Sequence, residues 1–289
     1  MRATPSSSNG GTGACSKDDG DRLRHRRRTP LDCQPMSAAL DIRRSLAQVA
    51  ELRAAADADP ALADAVIAVK RFQALRFAGS YRDLLSGSIY AGPARFFLRE
   101  LYGPRDFRAR DEQFVRIAGT LARVFPARVV ETSLALARLH ALSEALDHDL
   151  ARLWTQHDTA TDAAARYTRC WRRLGRREQR MEQLQSVLSI GQDMIVLTRK
   201  RGLHTMLRLM RAPATAAGLL LLQQFLETGF DTFAAMSRKP GVAEGFLAVV
   251  ESRESNLINA LFDLAEPAAV ALVHELADAA ATADIGHST

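Results

Sequence analysis

Apolar residues recur along most of this chain at intervals of three and four positions, the spacing of one face of an α-helix. Helix-starting pairs such as Asp59-Pro60 and helix-ending glycines divide the pattern into segments. No stretch alternates apolar and polar residues between turn-forming pairs, as an antiparallel strand would. The pattern predicts an all-α fold, an irregular bundle of about ten helices. Their predicted ranges are 37–56, 60–79, 93–102, 108–124, 126–156, 161–200, 203–210, 213–236, 242–264 and 266–281.

The polar stretch 155–162 is the best candidate for a boundary within this bundle, because it separates an aromatic-rich half from a leucine-rich half. We expect one helical domain over residues 36–289, with two packed sub-bundles over 36–156 and 160–285. Residues 1–35 are rich in Ser, Gly, Asp and Arg and poor in large apolar side chains, which predicts a disordered tail. The helical pattern begins at Met36, so a translation start there is an alternative to Met1.

The aromatic stretch FFLRELYGP occupies residues 96–104. Phe97 and Leu101 lie four positions apart, and a proline cannot continue a helix. The stretch predicts a short helix that is buried on one face and ends at Gly103. The region from Phe72 to Phe125 holds 10 of the 18 aromatic residues, which predicts a core and leaves a cofactor box as the alternative. The motif residues are Phe96, Phe97, Leu101, Tyr102, Gly103 and Pro104.

The run FFLRELYGPRDF, followed by RDEQF at residues 110–114, resembles the signature of the bacterial FFLEELY-motif proteins, an all-helical family. The later runs LLQQFLETGFDTF and FLAVVESRE are similar to the C-terminal half of that family. The resemblance implies a helical fold over most of residues 36–289 and implies no reaction. Arg99 stands where the motif usually carries Glu, so a chemical role of that Glu could not be shared by this chain.

Charge and cysteine content restrict the function classes further. Of the net charge of +6, residues 1–35 carry +3, with seven basic and four acidic residues, so the body is too weakly basic to indicate nucleic acid by itself. Cys15, Cys33 and Cys170 form no Cys-x-x-Cys pair, which argues against a disulfide framework or a thiolate zinc site. No apolar run reaches 18 residues, so no transmembrane segment is predicted. We expect a cytoplasmic protein.

His140, Glu144 and His148 lie four positions apart on one predicted helix, so they could offer several ligands to one metal ion. Glu227, Asp231 or Asp193 could supply further carboxylates. This face lies opposite the leucine stripe of the same helix, however, which predicts exposure to solvent. Asp193 stands in an apolar run, and we expect it to accept hydrogen bonds from an arginine on a neighbouring helix, with a general-base role as the alternative.

An arginine stripe is the second candidate site. If one helix passes through Gly175, these arginines share one arc of its surface, where they could hold phosphates of nucleic acid or of an anionic surface. The alternative is a solvated face paired with acidic neighbours. The stripe consists of Arg166, Arg169, Arg173, Arg176, Arg177 and Arg180.

Three functions follow from these patterns. A non-catalytic interaction or scaffold module with a protein partner is favoured, because no phosphate loop, dinucleotide-binding glycine pattern or nucleophile elbow occurs. A metal- or cofactor-binding bundle using the His140 face is the first alternative, and nucleic-acid or anionic-surface binding through the arginine stripe is the second. The leading hypothesis predicts no cofactor and no catalytic residues. Oligomeric state is not predicted.

Overall fold

The computed structural model describes residues 30–281, apart from residues 88, 101–102, 104–105 and 157–161. Every regular element in these ranges is a helix, which confirms the predicted all-α class. In chain order they are α1 (Pro30–Asp57), α2 (Pro60–Ser80), α3 (Arg82–Leu85), α4 (Ala91–Glu100), α5 (Arg108–Val124), α6 (Ala127–Trp154), α7 (Ala163–Leu174), α8 (Arg177–Thr198), α9 (Leu203–Leu209), α10 (Arg211–Ala216), α11 (Leu220–Ser237), α12 (Val242–Asp263) and α13 (Glu266–Ala281).

Several helix boundaries follow directly from local chemistry. Asp59 accepts hydrogen bonds from the backbone N–H groups of Ala61 and Leu62 at 3.0 and 3.3 Å, and Pro60 occupies the first position of α2, as predicted. The bounds predicted for α5 are confirmed. At the N-terminus α1 begins at Pro30, before the predicted start, so the end of the predicted 1–35 tail is helical. Residues 1–29 lie outside the described residues.

Two of the predicted helices are each divided in two. Gly175 adopts a left-handed conformation (φ 65°) and ends α7, so the predicted helix over 161–200 is wrong as one continuous element. Gly218 also has a positive φ (67°), and the N–H of Leu219 donates to the carbonyl of Ala214 at 2.7 Å. This turn separates α10 from α11 inside the predicted range 213–236.

Helix α6 lies at the centre of the bundle, where α1, α2, α7 and α8 pack around it. The main core combines aromatic side chains of α2 and α4 with those of α6 and α7, as in the contact of Phe72 with Tyr167 at 4.9 Å between ring centroids. The aromatic segment is therefore core, as predicted. Cys170 is also buried, and burial raises the pKa of its thiol to about 11.

The main core joins the two halves of the chain. Helix α13 packs against α2 and α7, and the buried cluster extends from Ala56 to Val273. The division into two packed sub-bundles stays a prediction. No helix within the described ranges is both long enough and apolar enough to cross a bilayer.

Candidate functional site

An apolar cavity of about 530 Å³ lies between helices α4, α5, α6 and α8 and helices α9, α10 and α11. Protein interiors normally leave few voids larger than a water molecule, so this space needs an explanation. Its volume falls in the range of small-molecule sites, which are concave and mostly apolar. Apolar side chains supply most of the lining, among them Ile117, Leu136, Met194, Leu207, Leu226 and Phe230.

The motif residues Phe96 and Phe97 form part of the cavity wall. The Phe96 ring stacks on Phe225 of α11 at 6.0 Å between centroids and meets Phe97 edge to face at 6.1 Å. Phe97 continues into the main core through Phe246 at 5.6 Å. Gly103 lines a second, smaller cavity described below. Leu101, Tyr102 and Pro104 lie outside the described residues.

Residues 110–114, which follow this motif, attach α5 to α11. The Arg110 guanidinium lies over the rings of Phe107 and Phe225 at 4.0 and 4.4 Å from their centroids. The Gln113 side chain accepts a hydrogen bond at 2.9 Å from the N–H of Leu222, one of the first N–H groups of α11. This stretch therefore positions two walls of the cavity.

Arg116 is the one charged residue among the described side chains that line the cavity. Its Nη2 donates to the carbonyl of Gly218 at 2.7 Å, and Arg116 forms no ion pair within the described residues. Three other polar lining groups are occupied: Thr132 and Ser133 donate to carbonyls of their own helix, and Gln223 donates to the carbonyl of Leu207 at 2.7 Å. One cation with spare donors thus borders an apolar space.

Helices α9 and α10 cover one side of the cavity, and we call them the cover helices. Arg211 forms a bidentate ion pair with Glu227 of α11 at 2.7 Å, and this pairing holds the pKa of Glu227 below its usual range. His204 Nε2 lies 2.7 Å from an Asp231 carboxylate oxygen. Glu227 and Asp231 are therefore bound to the cover helices and do not converge on the His140 face.

A cluster of buried charges adjoins the cavity on its other side. Arg53 of α1 donates to Asp111 at 2.9 Å and to Glu144 at 3.1 Å, and Lys70 of α2 donates to both Glu144 oxygens at 2.7 and 2.8 Å. His140 Nε2 lies 2.8 Å from the same Asp111 oxygen. We call these five residues the charge cluster. A smaller cavity of about 80 Å³ lies against it and shares Leu136, Leu139, Val187 and Phe225 with the large one.

Burial and pairing oppose each other in this cluster. Burial alone would raise the pKa of Glu144, but Lys70 and Arg53 hold that pKa below its usual range. Burial acts on Asp111 in the same way, and His140 and Arg53 lower its pKa. Burial raises the pKa of the neighbouring Asp147, whose carboxyl accepts one hydrogen bond from Gln73 at 2.9 Å. Ionised Asp111 and Glu144 are thus stabilised by fixed cations.

The sequence predicted that the His140 face is exposed to solvent, and this prediction is wrong. Glu144 and His148 are buried and His140 is half-buried, because α1 and α2 pack over this side of α6. A leucine stripe marks only one buried face, and a central helix has several. Within the described ranges no three His, Cys, Asp or Glu side chains are grouped so that they could hold a metal ion. Glu144 and Asp111 face cations instead, and metal binding stays a prediction.

The arginine stripe is divided at Gly175, so its members do not share one helical surface. Arg166 is buried and donates to the carbonyl of Trp154, and Arg180 is buried with its guanidinium over Trp171 at 4.4 Å. Arg169 pairs with Glu266 at 2.8 Å, and Arg177 pairs with Asp263. The other two arginines of the stripe, Arg173 and Arg176, are exposed, and Arg176 lies 3.8 Å from Asp149. Anion binding by these residues stays a prediction.

Asp193 accepts hydrogen bonds from an arginine on a neighbouring helix, as the sequence predicted. Arg128 of α6 donates to one carboxylate oxygen through Nε and Nη2 at 3.0 and 2.7 Å, and Thr132 donates to the other at 3.3 Å. An arginine on a neighbouring helix therefore satisfies this carboxylate, which confirms the structural interpretation.

The family model described as "Domain of unknown function (DUF8198)" matches residues 51–267, about three quarters of the chain. The chain belongs to this family. The matched range includes α4 to α11 and hence every wall of the large cavity. No curated protein and no solved structure matches the chain. The resemblance to the FFLEELY-motif proteins stays a prediction, and the family description assigns no activity.

Sequence patterns did not predict the cavity, Arg116 or three members of the charge cluster. Arg53, Lys70 and Asp111 interrupt faces of α1, α2 and α5 that are otherwise buried, and such interruptions were the available signal. A cavity has no comparable signal, because it depends on how α8 to α11 are placed against α4 to α6.

Proposed function

We propose that this protein is a non-catalytic binding module whose partner is a small molecule, a single-chain amphiphile held in the large cavity. The observation that carries the proposal is an apolar space of about 530 Å³ in the part of the chain that defines the family. The proposal keeps the non-catalytic binding role predicted from the sequence and replaces the predicted protein partner with a small molecule. Burial of apolar ligand surface supplies the affinity.

The positive charge of Arg116 on the cavity lining supports a ligand with an anionic head group. Arg116 has guanidinium N–H groups beyond the one bound to Gly218, and a carboxylate can accept two parallel hydrogen bonds from such a group. A fatty acid fits this arrangement: its chain lies among the apolar lining residues and its carboxylate pairs with Arg116. A neutral alcohol of the same chain length keeps the apolar contacts and loses the charge pair.

The test is displacement of a fluorescent fatty-acid probe by a long-chain fatty acid and by the alcohol of equal length. We expect both to displace the probe, with the acid about tenfold tighter, since hydrogen bonds to charged groups contribute more. Arg116→Gln should remove this preference and leave the alcohol unaffected. Arg123→Gln is the matched control, because Arg123 is an exposed arginine of the same helix outside the cavity lining.

The outcomes separate the two parts of the proposal. If neither compound displaces the probe, the cavity is not a lipid site and the proposed function is wrong. If both displace it equally and Arg116→Gln changes nothing, the apolar site stands and the role of Arg116 is wrong.

The metal-binding and anion-binding alternatives receive less support from the contacts above. Glu144 already faces Lys70 and Arg53, and most of the stripe arginines are bound within the fold. Elemental analysis of the purified chain tests the first alternative, and near-stoichiometric metal that His140→Ala removes would restore it.

A further inference from the structure

Exposed leucines lie at the end of α9 and at the start of α11. Leu209 at the end of α9 is 73% exposed, the largest exposure among the large apolar side chains of the described residues. Leu220 and Leu221 at the start of α11 are 44% and 46% exposed. A cluster of exposed apolar side chains on a folded protein indicates an interaction surface.

Two contacts place these leucines at the same end of the cavity. His204, near the start of α9, pairs with Asp231, whereas the carbonyl of Leu207 bonds to Gln223, two turns closer to the start of α11. Helices α9 and α11 therefore run in opposite directions along each other. The end of α9, with Leu209, lies beside the start of α11, with Leu220.

The same segment is strongly basic. Between Arg199 and Gln224 the chain carries five Arg or Lys residues and no Asp or Glu. Lys200, Arg201 and Arg208 are exposed and form no ion pair within the described residues. Arg208 adjoins Leu209, whereas Lys200 and Arg201 precede α9. Exposed leucines beside an unpaired arginine, on a basic segment, match a membrane interface with anionic lipids, where apolar side chains enter the acyl boundary and cations face the head groups.

We propose that the end of α9 and the start of α11 dock on an anionic membrane surface through Leu209, Leu220 and Leu221, which we call the docking face. A membrane is favoured over nucleic acid because leucines contribute nothing to phosphate contacts, whereas they add affinity on entering lipid. Docking brings the covered side of the cavity to the bilayer. This inference goes beyond ligand binding and concerns a separate surface.

The experiment is co-sedimentation of the full chain with vesicles of phosphatidylcholine alone and of phosphatidylcholine mixed with phosphatidylserine. We expect binding to the anionic vesicles that weakens as salt rises. Leu209→Asp should weaken vesicle binding by at least about tenfold, because the substitution removes one leucine that enters the lipid. Arg208→Gln should weaken it about fivefold.

Matched controls are Leu40→Asp on α1, whose leucine is 56% exposed, and Arg44→Gln on the same helix. Neither should change vesicle binding. Equal losses in these controls, equal binding to both vesicle types, or no binding at all would overturn the proposal. Retention of RNA that Arg208→Gln weakens and Leu209→Asp leaves unchanged would assign the face to nucleic acid and would also overturn it.

Probe displacement in vesicle-free solution keeps this test separate from the proposed function. Leu209→Asp should bind the fatty-acid probe as the unmodified chain does, because Leu209 does not line the cavity. Failure of membrane docking would leave that result standing.

Discussion

The charge cluster and the large cavity lie on opposite sides of the same apolar wall, formed by Leu136, Leu139 and Val187 among others. In the cluster, charged side chains fill the space and pair with one another at 2.7–3.1 Å. In the cavity, apolar side chains surround a space that nothing in the described chain fills. Burying charges is costly unless they are paired, and leaving apolar walls unfilled forfeits their contacts. The cluster therefore stabilises the fold, and the cavity offers space for the proposed ligand.

The strongest test of this comparison removes the anion at the centre of the cluster. Glu144→Ala leaves Arg53 and Lys70 without their shared carboxylate and should lower the free energy of unfolding by about 3 kcal/mol. Urea unfolding measures the loss. Glu131→Ala, on an exposed position of the same helix, should change it by less than about 0.5 kcal/mol. Similar losses in both variants would contradict a structural role for the cluster.

A pair of tryptophan substitutions on α6 tests whether the cavity is open space. Leu150 is fully buried outside both cavities, so Leu150→Trp should lower the free energy of unfolding by about 1–3 kcal/mol through overpacking. Leu136 borders the cavity, so Leu136→Trp should leave stability nearly unchanged and prevent binding of the fatty-acid probe. Equal destabilisation by the two substitutions would show that the space is not available to a ligand.

Acid should lower the free energy of unfolding through the charge cluster, because the pKa values of Asp111 and Glu144 are lowered in the folded protein. The stability contributed by Asp111 and Glu144 is complete above their ordinary pKa values of 3.8 and 4.5 and is lost as pH falls through the lower native values. The urea midpoint of the unmodified chain should therefore fall steeply below about pH 4. Glu144→Gln should give a flatter profile, and parallel profiles would contradict this assignment.

The smallest expected effect concerns Asp147. Burial raises the pKa of this carboxyl, so its contribution to stability declines as pH rises above 3.8. Asp147→Asn keeps an oxygen for Gln73 and removes the titration. The variant should match the unmodified chain in strong acid and become the more stable of the two at neutral pH. A difference that stays constant with pH would exclude this origin.

Much of the fold could be predicted because it rests on local chemistry. The Asp59 cap, the bounds of α5 and the burial of the aromatic segment follow from side-chain spacing and from hydrogen bonds within a few residues. The break at Gly218 was not predicted, and the predicted range 161–200 continued through Gly175, because a glycine is compatible with both a continuous helix and a left-handed turn, and tertiary packing selects between them.

The amino-acid sequence alone was enough to predict an all-helical chain with an aromatic core, and an arginine partner for Asp193. The tertiary structure selected the partners of Glu144 and His140, since Arg53, Lys70 and Asp111 reach α6 from three other helices. It also decided that the His140 face is covered and that α4 to α6 and α8 to α11 enclose a space. Periodicity reports the faces of single helices, whereas a cavity depends on the distances between them.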